Sequence, residues 1–583
     1  MPQPVPTSSV AVSPPRASPG RLVLAGVILV FTGIFVFLPA LHGNWLWDDG
    51  FTIKDNALMA DAGGWWKFWF APPGPDYFPL TSTIEWTLWR GFGDHTLPFH
   101  LTCLVLHMLS AFLIWALFKR LGLRLAWLGA LLFVVHPLAV ESVAWISELK
   151  NTVSLPLLLG AMLFWLNYDE RKHAKDYFAS LLFFLAALLA KTSVVMLPFV
   201  LLLYAWWKYG RVTREKFVST IPFFAMALIL GLLTFYFQRR WAIGAEPIAV
   251  GGPLERAAGA GWALLFYFGK FFWPVRLMPA YPPWSFDPVT PAQFLPWVLL
   301  AMLFYLLWRR RAGWGRAGLL GVGFFVLNLA PVLGFLTMSY MRIAWVADHF
   351  VYLPMIGLIG LVVLGVDKAL AASPRMALPL AAGSLVLLTS LLASQSSAYA
   401  ANFRDQTALW SYTLRLNPQS WLAELNLGLA LTDLRQLPAA EGHLRRSLQL
   451  RNDFYGTHLA LANILAQMNR PEEAAKEYEA ALLHSPESIE AHVNFGIVLS
   501  RLGRARESEQ QYVLATLCRA PSPGALVNLA SAHFNLANVY LQQGRRAEAI
   551  AQLEGALEAQ PEMTAASNML HNLRAAAPPA ATK

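Results

Sequence analysis

The sequence predicts an all-α chain in two parts, a polytopic membrane domain of about eleven transmembrane helices followed by a helical-repeat solenoid. Three observations predict it. With 56% hydrophobic and 14% charged residues, and 23 Trp and 37 Phe in 583 positions, the chain has too little polar surface to wrap a soluble globule of this size. Apolar runs long enough to cross ~30 Å of hydrocarbon recur as far as residue 396. Beyond Asn417 the pattern changes to a repeat that restarts at 417, 451 and 485.

Residues 1–20 are rich in Pro and Ser and read as a disordered cytoplasmic tail. Arg16 and Arg21 then precede an apolar run of about 20 residues, too long for a signal-peptide core, which is predicted to be a retained first span with its N-terminus inside. Further apolar segments lie at 97–118, 125–146, 152–168, 178–190, 192–208, 217–237, 293–308, 316–337, 350–367 and 376–396. The stretch 258–273 is apolar but short, carries Lys270 and ends at Trp273-Pro274, so it is predicted to lie at the outer interface. That choice keeps the basic clusters at 119–124, 171–175, 208–216, 309–316 and 368–375 on one side, as the positive-inside rule requires.

The net charge of +10 is therefore spent in cytoplasmic loops, and no nucleic-acid role is assigned. The odd span count places everything after residue 396 outside, in the periplasm or an equivalent lumen. Residues 401–416 read as a connector. Cys103 and Cys518 offer neither a disulfide framework nor metal-ligand spacing.

The outer segment reads as tetratricopeptide repeats over 417–575, with a disordered tail at 576–583. Small residues fall in register, Gly428, Ala462, Gly496 and Ala537 on the first helix of each unit and Ala440, Ala474, Ser508 and Ala549 on the second, which lets paired helices cross closely. Such a solenoid serves either as a rigid spacer or as a groove for a protein or peptide.

Chemistry is expected on the outer face. The loop 41–96 opens with WLWDDGFTIKDN, where Asp48 and Asp49 sit side by side just beyond the first span. The pair reads either as a helix cap or as a membrane-surface base, because like charges beside hydrocarbon raise a pKa and one cap needs only one acid. The segment 136-HPLAVESVAWISELKN-151 adds His136, Glu141, Glu148 and Lys150, with the two glutamates seven apart and on one face if the segment is helical. Lys191, in a three-residue outer turn, snorkels to headgroups or binds an anion such as phosphate. Arg342, Asp348 and His349 begin the tenth span.

The segments WLWDDGFTIKDNALM, 77-YFPLTSTIEWTLW-89, 100-HLTCLVLH-107, 136-HPLAVESVAW-145 and 348-DHFVYLPMIGL-358, followed by the repeats, resemble the transmembrane and tetratricopeptide-repeat-containing O-mannosyltransferases and their bacterial relatives, of the GT-C glycosyltransferase superfamily. The resemblance implies a GT-C-like domain over 21–400 that moves a sugar from a polyprenyl-phosphate carrier to an extracytoplasmic acceptor with inversion, the acceptor being Ser or Thr of a protein or peptide engaged by the repeats. It assigns Asp48 and Asp49 to catalysis, with Asp48 favoured as general base and the other acid orienting a neighbour, a water or a metal. Lys191, Arg342 and His349, with Lys150 behind them, become candidates for the donor phosphate. Tyr77, His136, Glu141, Glu148 and Asp348 are the candidate substrate contacts.

No metal site is assigned and the lipid-linked sugar is the donor substrate; a divalent metal stays open as a cofactor, with no ligand spacing to support it. Three departures matter: Tyr77-Phe78-Pro79-Leu80 stands where the family typically has Tyr-Arg-Pro-Leu, Ile146-Ser147-Glu148-Leu149 where it has Gly-Arg-Ala-Glu, and Lys191-Thr192 where it has Lys-Glu. Mannose is therefore not assumed. Two other readings stand beside this one, a GT-C enzyme modifying a glycan or lipid, and a nonenzymatic membrane-anchored scaffold for envelope assembly.

Overall fold

The computed structural model describes residues 18–70, 76–243, 248, 250–374, 376, 378–520 and 523–575, so that almost all of the expected N-terminal tail and the whole of the tail at 576–583 lie outside the described residues. Those residues form helices and connecting turns, with no strand among them. Among the described residues, nine continuous helices are long and apolar enough to cross a bilayer. Two more of the eleven expected spans are present in altered form. Segment 125–146 is a bent pair, Ala126–Val135 and Pro137–Ala144, turned by 61°. Pro137 lacks the N–H that would continue the helix, and it biases His136 towards its observed extended conformation. Segment 178–190 becomes Ala174–Ala190, a helix of 17 residues, about 26 Å long at 1.5 Å per residue.

Pro253–Phe272 is a 20-residue helix whose every 18-residue window holds Glu255, Arg256 and Lys270, and it is not among the apolar spans. It packs inward, with Ala258, Ala260, Ala263 and Tyr267 buried, and the Tyr267 hydroxyl accepts from Ala347 N at 3.0 Å.

Close crossings use small residues. A Cβ on Gly357 would collide with the Gly321 carbonyl, so the Gly315–Leu329 and Met355–Ala372 helices meet backbone to backbone.

The solenoid follows the predicted register. Its helix pairs are Trp421–Asp433 with Leu437–Leu450, Tyr455–Gln467 with Pro471–His484, Ile489–Arg501 with Ala505–Leu517, and Pro523–Gln542 with Arg546–Ala559, closed by Thr564–Ala575. Ser420 and Ser488 cap their helices by accepting from Ala423 N and Ala491 N. Gly428 abuts Leu444, and Gly496 abuts Tyr512, the pairings the repeat pattern calls for.

The connector 401–416 contains a helix, Gln406–Leu416, started by Asp405, whose side chain accepts from Ala408 N at 2.7 Å. It buries Leu409, Trp410 and Thr413, and Tyr412 donates to the Leu277 carbonyl at 2.8 Å. The solenoid is thereby seated directly on the membrane domain, against the segment that carries Leu277.

Candidate active site

The chain leaves the first span through a short turn and reaches Trp47, whose φ of 43° lies in the left-handed region that a bulky residue rarely adopts. Packing holds it there. Its ring stacks on Trp145 at 5.1 Å and 3° and meets Trp410 edge-on at 5.0 Å. The two acids that follow diverge, as adjacent side chains do.

Asp49 turns inward. It is fully buried, and its carboxylate accepts from Leu46 N at 2.8 Å, Ser147 N at 2.7 Å and the Ser147 hydroxyl at 2.5 Å. Burial pushes its pKa up to about 7 against the opposing pull of those donors. Its side chain makes no capping bond to the turn Gly50–Lys54. Asp48 faces a cavity of about 530 Å³ and keeps an open surface towards it. A hollow surrounded by protein solvates a carboxylate less well than bulk water does. This desolvation raises its pKa to about 6, with Lys150 and His349 pulling it down and Glu148 and Asp76 pushing it up.

Across the cavity Glu148 gathers the cations. Its Oε2 accepts from Lys191 Nζ at 3.1 Å and from Asn151 Nδ2 at 2.6 Å, while its Oε1 lies 3.2 Å from Lys150 Nζ and 3.9 Å from His349 Nε2. Lys191 is 9% exposed, so it is held in this cluster and does not reach out to headgroups. Glu141 approaches His349 from the other side, accepting from its backbone N at 3.0 Å and pairing with its Nδ1 at 3.1 Å. The two glutamates thus converge on one imidazole. They do so because the chain breaks between them, the helix Val140–Ala144 giving way at Trp145 before the turn Ile146–Glu148. A shared helical face plays no part.

Asp48, Glu148, Lys150, Lys191, Arg342 and His349 all line the cavity. Arg342 comes from the turn Ser339–Arg342 and donates to the Ile243 carbonyl at 2.6 Å. Val195, Gly231, Phe235, Val332, Leu336 and Leu353 add an apolar part to the lining, and Trp421, Arg451 and Phe454 of the solenoid also contribute to it.

Among the polar lining residues that were not anticipated, Asp76 and Gln238 are joined to each other. Asp76 accepts from Gln238 Nε2 at 2.6 Å, and Gln238 Oε1 accepts in turn from Ser339 N at 3.4 Å, which ties the first loop to the segment bearing Arg342. Asp76 directly precedes the Tyr77-Phe78-Pro79-Leu80 motif, a signal that pointed to its neighbour instead.

Five sequence candidates do not line the cavity, each for a visible reason. Asp49 is taken up by its three donors, and Glu141 stands behind His349. Asp348 is buried and accepts from Tyr281 at 2.8 Å and Tyr399 at 3.1 Å, an anchor between the 274–290 loop and the last span. His136 pairs with the Phe271 carbonyl at 3.0 Å, caps the Pro137 turn and stacks on Phe271. Tyr77 donates to the Trp69 carbonyl at 3.2 Å and stacks on Phe237. Among the described residues no group of three or more His, Cys, Asp or Glu side chains is arranged for a metal ion.

Residues 76–236 match the family model described as dolichyl-phosphate-mannose-protein mannosyltransferase. Residues 455–487 and 487–562 match tetratricopeptide-repeat models. The chain joins a mannosyltransferase-family membrane domain to tetratricopeptide repeats. The order of these matches, a mannosyltransferase-type region before tetratricopeptide repeats, is similar to that of the transmembrane and tetratricopeptide-repeat-containing O-mannosyltransferases, and the long apolar helices are those of a membrane protein.

The mannosyltransferase match contains Asp76, Glu148, Lys150 and Lys191, whereas Asp48 lies before it and Arg342 and His349 after it. An uncharacterized protein of Haemophilus influenzae is 33% identical over 102 residues, 17% of this chain; the match spans only 56% of that relative's length.

Among solved structures, similarity is found to YrrB, described as a tetratricopeptide-repeat protein with an unusual peptide-binding site (21% identity, 31% of this chain and 87% of that one, TM-score 0.24). It is found also to a thermophilic tetratricopeptide-repeat protein of Thermus thermophilus (20%, 33% and 95%, 0.24) and to the Cut9–Hcn1 complex (14%, 85% and 89%, 0.26).

Proposed function

We propose that this protein is an integral-membrane, inverting glycosyltransferase of the GT-C type that moves a sugar from a polyprenyl-phosphate carrier to a Ser or Thr hydroxyl of an extracytoplasmic protein or peptide engaged by the repeats. The observation that carries the reading is the meeting of Asp48 with Lys150, Lys191 and Arg342 around one cavity whose lining also includes apolar residues of the membrane domain and residues of the solenoid.

In this mechanism Asp48 takes the proton of the acceptor hydroxyl as its oxygen attacks the anomeric carbon from the face opposite the phosphate. The anomeric carbon–oxygen bond breaks, its electron pair leaves with the polyprenyl phosphate, and the configuration inverts. A positioned base of this kind contributes about 10²–10⁴-fold. Lys150, Lys191 and Arg342 stabilise the charge gathering on the phosphate, and His349, gripped by Glu141, orients the same side of the site. The isoprenoid chain lies along Val195, Phe235, Val332 and Leu353. The N-terminus is cytoplasmic and the repeats are periplasmic, in the bacterial inner membrane.

Mass spectrometry of extracytoplasmic proteins from a deletion strain tests the reading. Hexose-type mass on Ser or Thr peptides should vanish in the deletion, return with the wild-type gene and stay absent with Asp48→Asn. An unchanged set of glycopeptides, or full complementation by Asp48→Asn, would overturn it, and loss confined to a glycan or lipid would transfer the activity to that acceptor class.

A further inference from the structure

The solenoid reaches into the cavity with its loop edge. Trp421 is the first residue of its helix, Arg451 ends the next, and Phe454 caps the start of the third. The Arg451 guanidinium carbon stands 4.6 Å from the Trp421 ring and 5.6 Å from the Phe454 ring, and the two rings are themselves 5.0 Å apart at 51°. A planar cation set in an aromatic corner loses little freedom on binding and keeps its N–H edge pointed one way. Nε donates to Asp453 at 2.8 Å, and among the described residues the two terminal nitrogens have no hydrogen-bond partner. Asp453 is 61% exposed, so water weakens its hold on Arg451.

We propose that Trp421, Arg451 and Phe454 form an acceptor subsite that takes an acidic side chain close in sequence to the modified hydroxyl. The inference rests on the glycosyltransferase reading above and names the substrate preference of that site. The donor phosphate has its own cations in the cluster around Glu148, so a further anion sought by the solenoid belongs to the chain the solenoid carries. A bidentate arginine matches a carboxylate. The cavity, at about 530 Å³, falls within the range of ligand sites that accept more than one chemical group.

The test uses the full-length protein in lipid nanodiscs and three fluorescent peptides that differ only in carrying Glu, Gln or Lys beside a Thr. Anisotropy without any donor reads binding alone, so the result stands even if no sugar is transferred. The Glu peptide should bind the wild type about tenfold more tightly than the Gln peptide, the size of one charge-assisted pair. That preference should disappear in Arg451→Gln, invert towards the Lys peptide in Arg451→Glu, and grow in Asp453→Asn, which releases the guanidinium without touching the aromatic corner. Equal binding of Glu and Gln peptides to the wild type overturns the proposal, as does the absence of binding by all three. So does an Arg451→Glu variant that weakens every peptide alike, or that changes only the KM for polyprenyl-phosphate sugar, which would make the donor phosphate the anion concerned.

Discussion

Asp48 and Asp49 are neighbours in the chain and lie on opposite sides of the cavity wall, Asp48 open to the hollow and Asp49 sealed behind it by Leu46 and Ser147. Adjacent side chains diverge along the backbone, and here the divergence separates a cavity-facing acid from a sealed one within two residues. Asp48→Asn should lower transfer about 10²–10⁴-fold with little change in Tm, because only a proton acceptor is lost. Asp49→Asn should act the other way. An amide placed among three donors leaves at least one of them poorly paired, at a cost of about 1–3 kcal/mol, so Tm should fall while the folded fraction keeps much of its activity. Thermal unfolding beside a transfer assay on both variants checks the division.

The pH dependence has a defined sign. Burial raises the proton affinity of Asp48, so the carboxylate competent to act as base exists only above a pKa of about 6. kcat/KM should therefore rise with pH through about 6 and reach a plateau above it, with the acid limb assigned to the free enzyme. Removing the Lys150 charge takes away an effect that lowers this pKa, so Lys150→Met should move the limb to higher pH, whereas Asp76→Asn should move it lower. A pH profile of the three proteins measures both shifts.

The register of the repeats and most of the membrane helices were legible in the sequence, because each rests on local periodicity: Gly428 against Leu444 and Gly496 against Tyr512 are consequences of helical spacing alone. The convergence of Asp48, Lys191, Arg342 and His349 was also legible, but only as residues sharing one face of the membrane. Which of the polar residues on that face line the cavity was not. Asp348 and His136 carry the same chemistry as the cavity residues and differ only in meeting Tyr281, Tyr399 or the Phe271 carbonyl across long sequence separations. Asp76 was missed for a related reason, since its partner Gln238 is far along the chain. The break at Pro137 could be read from the residue type, whereas the break at Trp145, which lets two glutamates meet one histidine, could not.

Glu148 is the counter-ion of a buried group of cations, and its loss should differ in kind from the loss of any one of them. Glu148→Gln leaves Lys150 and Lys191 facing each other with no acid between them, and breaking a buried pair in this way costs about 3–5 kcal/mol. The expected outcome is a large drop in Tm. Lys191→Met removes one positive charge and leaves Glu148 balanced by Lys150, so the fold should persist while kcat falls by about 10² or more, the scale of losing one group that stabilises a developing anion. Thermal unfolding and kinetics against polyprenyl-phosphate sugar, run on both variants, distinguish the scaffold of the site from its charge.

Trp47 provides the most direct link between backbone and chemistry. A left-handed aromatic residue is unfavourable by about 1–3 kcal/mol and persists because Trp145 and Trp410 fix its ring. Trp47→Phe keeps a ring between these two and should retain most activity. Trp47→Ala removes both contacts while keeping a side chain that disfavours the turn, so the backbone should relax and carry Asp48 away from the acceptor hydroxyl. The expected signature is a kcat lower by about 10–10² with an intact acid limb, since misplacing a catalytic group by about 1 Å has effects of that size. Trp47→Gly distinguishes conformation from packing: glycine accepts the positive φ without strain, so activity recovered above the Ala variant would credit the turn, and activity no better than Ala would credit the stacked rings.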